Sequence, residues 1–308
     1  MPLDLEPNQT ILIKTYLHES GLFYLAKSFG DLLKKEGHTV IYIPKSKYLL
    51  NGSTFNRTYL KPEDEHLLDG EVVHWCDARR PVENQMLNAI NRYKATILIS
   101  FETLMEKSQW IYKVKHNTKI KIIDVPMIEW VSPRLLSGRS YVMFDEIWCL
   151  TDQCHQYFKD YPSAKRKSWD YVDRELFQPV EREQGKVHFY HAGSLNPNHT
   201  TKNTDLVIKA FDRFMKESPE ATLTISGKVT LAESLKIVQK HDNIHVIDRV
   251  LERGELAEIY QKSHCVIAPS SREGLGLSLY EAEACNCSIV TTDLPPMNEV
   301  STKYLCRT

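Results

Sequence analysis

The sequence of 308 residues lacks the features that mark membrane or secreted proteins. No apolar run approaches the roughly 20 residues that a membrane-spanning helix requires. The acidic, polar start MPLDLEPNQT is unlike a secretory signal peptide. The seven cysteines are odd in number and scattered, which is typical of free thiols in a reducing compartment. We therefore expect a cytoplasmic protein without a transmembrane segment.

Motifs for several other functions are also missing. The net charge of -1 favours neither nucleic acid nor an anionic membrane as partner. The pair Cys285 and Cys287 has no second ligand pair at zinc-finger spacing, so we expect no metal. No G-x-G-x-x-G follows a strand, which disfavours a dehydrogenase, and the SGKVT stretch near Gly227 lacks the upstream glycine of an ATPase loop.

What the sequence does contain is an alternation of strand and helix patterns. ILIKTY is a short apolar run that predicts a buried strand, an apolar stripe from Leu22 to Leu33 predicts a helix, and TVIYIP predicts a second strand. Such a βαβ unit implies a parallel sheet. Further strands are predicted in the stretches VVHW, ATILIS, KIIDVP and EIWCL.

A second α/β series begins near residue 186. Its predicted strands are KVHFYHAG, ATLTISG, NIHVID, CVIAPS and SIVTTD, with helices at 205–216 and 255–262 among those between them. The polar stretch 165–185 is predicted to link the two series. We therefore expect two Rossmann-like domains, 1–180 and 181–308, that face a cleft at the carboxyl ends of their strands.

The stretch SREGLGLSLYEAEAC lies at one of these strand ends. It predicts a glycine-containing turn that leads into a helix, whose first N–H groups suit a phosphate or pyrophosphate. Glu273 stands in the turn, and Glu281 lies about two helical turns on, where a carboxylate could accept hydrogen bonds from ribose hydroxyls. The alternative is an ordinary amphipathic helix, with Glu273 a helix-terminal charge and Glu281 a solvated one.

These residues resemble the E-x7-E signature of retaining GT-B glycosyltransferases of the family 4 type. The resemblance extends from about Tyr171 to Asp293 and includes YVDRELFQP and HAGSLNPNHTTKNTDLVIKAF. It implies that Glu273 contacts the donor sugar, that Glu281 holds the nucleotide ribose, and that Lys202 neutralises the leaving diphosphate. It also implies donor contacts for Gly21, Gly193, Ser194, Arg272, Gly274, Leu275 and Gly276.

The sequence departs from the family pattern at several points. Ser194 stands where an arginine is usual, and Arg272 and Lys228 are the candidates to replace its charge. The first domain lacks the usual histidine at its strand ends, and His18 is either its substitute or a surface-loop histidine. Asn286 takes a position near the end of the helix where glycine is usual. The chain also stops earlier than relatives do, so we expect a shortened or incomplete second domain.

The resemblance implies a retaining hexosyl- or pentosyltransferase that uses a nucleotide-diphosphate sugar and needs no further cofactor. We expect no metal requirement, because no D-x-D loop stands at a strand end. The acceptor would be a glycan, a lipid-linked molecule or another hydroxyl compound, and a nucleic-acid acceptor is not favoured. The rival prediction is a non-catalytic nucleotide-sugar or glycan-binding protein on the same fold.

Overall fold

The computed structural model describes residues 5–16, 21–45, 49–51, 54–56, 67–76, 80–102, 109–130, 140–196, 200–300 and 304–306. The chain divides into two compact units, Met1–Tyr171 and Val172–Thr308. The sequence had placed the boundary after residue 180. Residues 172–180 group with the second unit because Phe177 is fully buried there, with its ring edge-on to that of Tyr260 at 5.8 Å.

The first unit is a parallel sheet with helices. Its strands follow the order β2-β1-β5-β6-β7-β8. The strands are β1 (Thr10–Tyr16), β2 (Thr39–Lys45), β5 (Ile97–Phe101), β6 (Lys121–Val125), β7 (Glu146–Cys149) and β8 (Ala164–Arg166). The helices are α1 (Gly21–Lys35), α2 (Val82–Tyr93), α3 (Gln109–Asn117) and α4 (Asp152–Tyr157). A separate antiparallel pair consists of β3 (Leu49–Asn51) and β4 (Thr54–Asn56).

The predicted strand around Val72 is reduced to a single bridge. Val73 pairs in parallel with Tyr42 of β2. The N–H of Tyr42 donates to the carbonyl of Val72 at 2.9 Å, and the N–H of His74 donates to the carbonyl of Tyr42 at 2.8 Å. This short segment therefore occupies the position of one more strand beside β2.

The second unit is a parallel sheet of the order β11-β10-β9-β12-β13-β14. Its strands are β9 (His188–Ala192), β10 (Thr222–Ser226), β11 (Ile244–Ile247), β12 (Cys265–Ala268), β13 (Ser288–Thr292) and β14 (Tyr304–Cys306). Its helices are α5 (Thr204–Phe214), α6 (Ala232–Lys240), α7 (Arg253–Lys262) and α8 (Leu277–Ala284). The prediction of two parallel α/β units is confirmed.

Apolar patterning explains both cores. In the first unit, Leu12, Leu98 and Ile122 lie on neighbouring strands and are fully buried together with side chains of α2 and α3. In the second, Leu223 and Ile225 pack against Ile208 and Phe211 of α5. Continuous apolar runs in β5 and β6 and alternating apolar residues in β10 made these strands recognisable in the sequence. Within the described residues, no helix is both long and apolar enough to cross a membrane.

Candidate functional site

The predicted donor-site residues of the second unit lie near the point where its strand order reverses. β9 has β10 on one side and β12 on the other, and Tyr190 of β9 pairs with Val266 of β12. Ligands of open α/β sheets bind beyond the carboxyl ends of the strands at such a reversal. The topology therefore predicts a ligand site at the loops that follow β9 and β12.

Hydrogen bonds join these two loops. The N–H of Ser271, after β12, donates to the carbonyl of Thr201, after β9, at 2.9 Å. The side-chain amide of Asn203 donates to the carbonyl of Pro269 at 2.6 Å. Two loops that are distant in sequence are thus held side by side, and each contributes one charged residue to the same place.

Those charged residues are Lys202 and Glu273. Lys202 ends the short 3-10 turn Thr200–Lys202, and its ammonium lies 2.6 Å from Oε1 of Glu273. The side chains are 26% and 12% exposed, so the pair is neither solvated nor sealed. Glu273 is therefore more than a helix-terminal charge, because it has a specific cationic partner from the other loop.

His191 links the two strands that precede these loops. It is fully buried at the end of β9, where Nδ1 lies 2.8 Å from the carbonyl of Ile267 and Nε2 lies 3.0 Å from Oγ1 of Thr204. A carbonyl only accepts, so Nδ1 carries the proton and donates, and Nε2 accepts from Thr204. Burial lowers the pKa of His191 to about 4, and the positive charge of Lys202 acts in the same direction. The imidazole is therefore neutral at neutral pH.

Gly193 and Ser194 connect β9 to the loop after β10. A Cβ on Gly193 would lie 2.9 Å from Oγ1 of Thr204 and 3.1 Å from the carbonyl of Ser226, so a larger residue would not fit without movement. The carbonyl of Ser194 accepts from the N–H of Lys228 at 2.9 Å, and its hydroxyl accepts from the N–H of Asn196 at 3.1 Å. The Ser194 hydroxyl is thus occupied in a local turn.

The beginning of α8 has the predicted glycine turn. Gly276 is the N-cap residue, with φ of 77°, and no side chain caps the helix there. A Cβ at this position would lie 3.3 Å from Cδ1 of Leu279, so both the backbone conformation and the space favour glycine. The first N–H groups of a helix have no partner within the helix, and the helix dipole makes this end attractive to anions.

Glu281 lies further along α8 and is buried. Its carboxylate forms an ion pair with Nη1 of Arg253, the first residue of α7. Burial raises the pKa of Tyr260 and of Tyr190, and the negative charge of Glu281 raises both further, which places the carboxylate near these two rings. Glu281 is therefore not a solvated helix charge. The alternative of an ordinary amphipathic helix is wrong for this residue.

Gly274 and Leu275 are buried in the same turn as Glu273, and the other predicted residues are exposed, belong to the first unit or lie outside the described residues. Arg272 is exposed and, within the described residues, forms no ion pair; Lys228 is also exposed. Gly21 is the first residue of α1 in the first unit rather than part of a loop. His18 lies outside the described residues. Among the residues that are described, no cluster of His, Cys, Asp or Glu could hold a metal ion.

Two residues of this region were not predicted from the sequence. His191 belongs to a recognised strand but carried no signal, because its contacts with Ile267 and Thr204 depend on strand pairing and on the start of α5. Arg253 is 28 residues away from Glu281, and nothing in the spacing indicated that the two would pair. Asn286, which stands near the position where glycine is usual, has a φ of 55°, in the left-handed region that asparagine tolerates.

Comparison with known proteins finds sequence similarity in the second unit, which contains Lys202, Glu273 and Glu281. Residues 172–307 match the family described as "Glycosyl transferases group 1". Among curated proteins, the chain is 31% identical over 135 residues to the lipopolysaccharide core biosynthesis mannosyltransferase LpcC of Rhizobium leguminosarum bv. viciae. That similarity covers 40% of this chain and 38% of the mannosyltransferase, so the chain matches well under half of its relative.

Solved structures extend the similarity to both units. Sucrose-phosphate synthase from Thermosynechococcus elongatus superposes with a TM-score of 0.63 at 13% identity, over 93% of this chain and 82% of that one. An α,α-trehalose-phosphate synthase from Burkholderia vietnamiensis gives a TM-score of 0.58 at 12% identity, over 95% and 86%. At such low identity the likeness shows the fold alone.

The family match and the structural likeness agree with each other and with the sequence. The family match confirms the prediction of a glycosyltransferase at the level of the domain, and the neighbours confirm the type of fold. Residues 172–307 therefore match a glycosyl transferases group 1 domain, and the two α/β units have the GT-B fold of the sucrose-phosphate and trehalose-phosphate synthases.

Proposed function

We propose that the chain is a retaining glycosyltransferase that transfers a hexosyl or pentosyl group from a nucleotide-diphosphate donor to an acceptor hydroxyl. One observation carries the proposal. The loops after β9 and β12 bring Lys202 and Glu273 together beside the uncapped beginning of α8, within the region that matches glycosyl transferases group 1. The E-x7-E resemblance to family 4 supports the retaining class.

The arrangement suits a transition state with separated charges. As the bond between the anomeric carbon and the diphosphate oxygen breaks, positive charge grows on the sugar and negative charge on the diphosphate. Lys202 and the first N–H groups of α8 would stabilise the growing negative charge. Before a donor binds, the ammonium of Lys202 is compensated by Glu273, which avoids leaving a partly buried charge unpaired.

Glu273 would contact hydroxyls of the donor sugar rather than attack its anomeric carbon. When the diphosphate draws Lys202 toward itself, Glu273 becomes available to the sugar, where a carboxylate stabilises an oxocarbenium-like centre. The acceptor oxygen forms its bond on the face that the diphosphate leaves, and its proton passes to an oxygen of the departing phosphate. This sequence of bond changes requires no protein nucleophile.

Side chains and backbone supply the positive charge in this proposal, and we therefore propose a transfer that needs no metal. The donor is a nucleotide-diphosphate sugar, and the acceptor is a glycan, a lipid-linked molecule or another hydroxyl compound. A nucleic-acid acceptor is not favoured, since the net charge of -1 gives no general attraction to a polyanion.

Hydrolysis of nucleotide sugars without an acceptor tests the proposal. UDP-, GDP- and ADP-sugars are incubated with the protein, and nucleoside diphosphate release is measured. We expect slow hydrolysis of one of these classes, with the released sugar keeping the donor's anomeric configuration when NMR observes it before mutarotation. The Glu273→Gln variant should bind the same donor and hydrolyse it more slowly. Inversion at the anomeric carbon would contradict the retaining mechanism.

The rival function is nucleotide-sugar binding without catalysis. It is favoured by Ser194, which stands where relatives have a cation and whose hydroxyl is tied to Asn196. Binding of a nucleotide sugar without release of nucleoside diphosphate, with or without candidate acceptors, would support this rival. The same titration and hydrolysis measurements therefore separate the two functions.

A further inference from the structure

The ion pair between Glu281 and Arg253 is unusual in how deeply it lies. The side chains are only 5% and 17% exposed. Removing two charges from water is expensive, and a pair of well-packed apolar residues would stabilise a protein as well or better. Stability alone is therefore a weak reason for this pair to be here.

The position of Arg253 in its helix is also not explained by stability. Arg253 is the first residue of α7, directly after the N-cap Glu252, which forms a capping box with Glu255. A cation at the beginning of a helix is disfavoured by the helix dipole. The backbone of Arg253 is thus well fixed, and its charge stands at a place that the helix itself does not favour.

A second arginine nearby behaves differently. Arg249 pairs with Glu255 through both of its terminal nitrogens, at 2.8 and 2.6 Å, and this pair is 58% and 41% exposed. Exposed ion pairs depend less on their partners than buried ones, because water solvates either charge when the other is removed. Arg249 points to the outer side of the segment that leads into α7, whereas Arg253 points to the buried carboxylate of α8.

The guanidinium of Arg253 is also fixed from its face. Its central carbon lies 4.3 Å from the centroid of the Phe177 ring, which is fully buried and edge-on to Tyr260. A planar guanidinium stacked on an aromatic ring is restricted to few orientations, and lysine cannot reproduce that geometry. The Phe177 ring and the Glu281 carboxylate both restrict where the arginine lies.

We propose that Arg253 is a positioning residue for nucleotide binding: it holds the Glu281 carboxylate in one orientation, ready to accept the ribose hydroxyls of the donor. This rests on the proposed function, in which Glu281 binds the ribose. An ionised carboxylate has about four acceptor sites, so the contact with Arg253 leaves acceptor capacity for hydroxyls. A group fixed before binding loses less conformational entropy when the ligand arrives.

The proposal predicts which part of a ligand will sense Arg253. The ribose should depend on the arginine through Glu281, whereas the phosphates should depend on Lys202 and the beginning of α8. A ligand without ribose, such as inorganic pyrophosphate, therefore serves as an internal control. A variant that merely loosens the second unit would weaken pyrophosphate and nucleotide together.

The experiment is calorimetry with UDP, GDP, ADP and pyrophosphate on the wild type, Arg253→Met, Arg253→Lys and Arg249→Met. We expect Arg253→Met to weaken binding of the nucleoside diphosphate that binds the wild type by about fivefold to tenfold, less than loss of Glu281 itself, because the carboxylate remains but is no longer held in one orientation. Pyrophosphate affinity should change by less than about twofold in the same variant. Arg253→Lys should lie between, and Arg249→Met should match the wild type.

Two further variants distinguish a loss of positioning from a folding defect. The double variant Arg253→Met with Glu281→Gln should lose no more nucleotide affinity than Glu281→Gln alone, because both changes act on one contact. Phe177→Leu keeps an apolar side chain but removes the ring, and it should weaken nucleotide by about threefold without affecting pyrophosphate. It replaces Arg253→Met as the test if that variant does not fold.

The outcomes are distinguishable. Unchanged nucleotide affinity in Arg253→Met, or in Phe177→Leu when that variant is the test, overturns the positioning role while leaving the proposed function standing. Equal losses for nucleotide and pyrophosphate also overturn it, in favour of a purely structural role. A wild type that binds none of the three nucleoside diphosphates overturns the proposed function and this inference with it.

Discussion

The two units have nearly the same strand order but carry their charged groups in different places. With the short bridge at Val73 beside β2, the first sheet has the strand arrangement of the second and one more strand, β8, at its other edge. In the first unit, Lys14, Ser100 and Asp124 lie in register across β1, β5 and β6, and all three are buried. In the second unit, Lys202 and Glu273 lie in the loops beyond the strands and stay partly exposed.

This difference shows that the same topology can bury a charged group in the core or present it to a ligand, depending on where the group lies along the chain. A polar group on a strand is covered by the helices that pack on the sheet, so it becomes part of the core. A polar group one turn beyond the strand stands at the sheet edge, where a ligand can reach it. Residues 17–20 and 103–108, which follow β1 and β5, lie outside the described residues.

The largest expected effect is a difference in acid stability between the units. His191 in the second unit has a pKa of about 4, against 6.5 for a free histidine. Between these values the unfolded chain binds the extra proton, so stability falls as pH drops from 6.5 toward 4. At about 1.4 kcal/mol per pKa unit, the loss from this fully buried group is about 3 kcal/mol at most.

A prominent acid-sensitive group of the first unit titrates lower. Burial acts to raise the pKa of Glu146, but Lys121, Lys165 and the indole N–H of Trp148 outweigh it and hold the pKa at about 2. Its stabilisation is present above 4.5 and is lost as pH falls toward 2. Burial also lowers the pKa of His74, so the first unit loses some stability in the higher range as well.

The tryptophans allow the two units to be observed separately. All five lie at or before Trp169, in the first unit. On acid titration we expect circular dichroism, which reports both units, to change at a higher pH than tryptophan fluorescence. His191→Asn should weaken the pH dependence of the circular dichroism signal and leave the fluorescence midpoint in place. Coincident transitions that are unaffected by this variant would contradict the difference between units.

The next effect separates the two carboxylates of α8 and its turn. Glu281→Gln should weaken nucleoside diphosphate about thirtyfold, near 2 kcal/mol, because a charged acceptor for the ribose is lost. Glu273→Gln should leave that affinity nearly unchanged and lower turnover of the full donor. Calorimetry decides the first point and hydrolysis the second. As a control from the first unit, Glu146→Gln should lower the free energy of unfolding and leave the affinity for nucleoside diphosphate unchanged. If this variant lost nucleotide affinity, the donor site would not be confined to the second unit.

A smaller effect is expected at Lys202. Lys202→Ala should weaken nucleoside diphosphate about tenfold, near 1.4 kcal/mol, and leave the affinity for the nucleoside alone unchanged. Lys209→Ala is a suitable control, since Lys209 pairs with Glu233 at a more exposed position of the same unit. Equal losses for nucleoside and nucleoside diphosphate in calorimetry would mean that Lys202 does not face the phosphates.

The smallest effect concerns the end of α8. Asn286 has φ of 55°, which an alanine adopts only at a cost of about 1 kcal/mol. Asn286→Ala should lower the free energy of unfolding by about that amount, whereas Asn286→Gly should be close to neutral. Urea denaturation followed by circular dichroism measures both. Equal effects for alanine and glycine would mean that contacts of the asparagine side chain, rather than the backbone, matter at this turn.

Much of the architecture was predictable because it depends on local patterns. Buried parallel strands are apolar runs, and the turn before α8 needs glycine at 276, so both were recognised. The segment at Val72 was predicted as a strand and is a single bridge, and β8 and β14 were not predicted. Strands of three residues, such as Ala164–Arg166, are too short and polar to show a pattern and form only because a neighbouring strand offers hydrogen bonds.

The sequence alone determined the fold class, the alternation of the longer strands and helices, and the stretch that carries Glu273 and Glu281, because each depends on residues close together in the chain. Tertiary structure decided the partners of those carboxylates: Lys202 is 71 residues from Glu273, and Arg253 is 28 from Glu281. It also decided that Glu281 is buried and that His191 is neutral, since burial and charge proximity arise only when β9, β12, α7 and α8 pack together. The spacing of residues along the chain fixes which face of a helix or strand each one occupies. Which residues of other elements contact that face depends on how the elements pack.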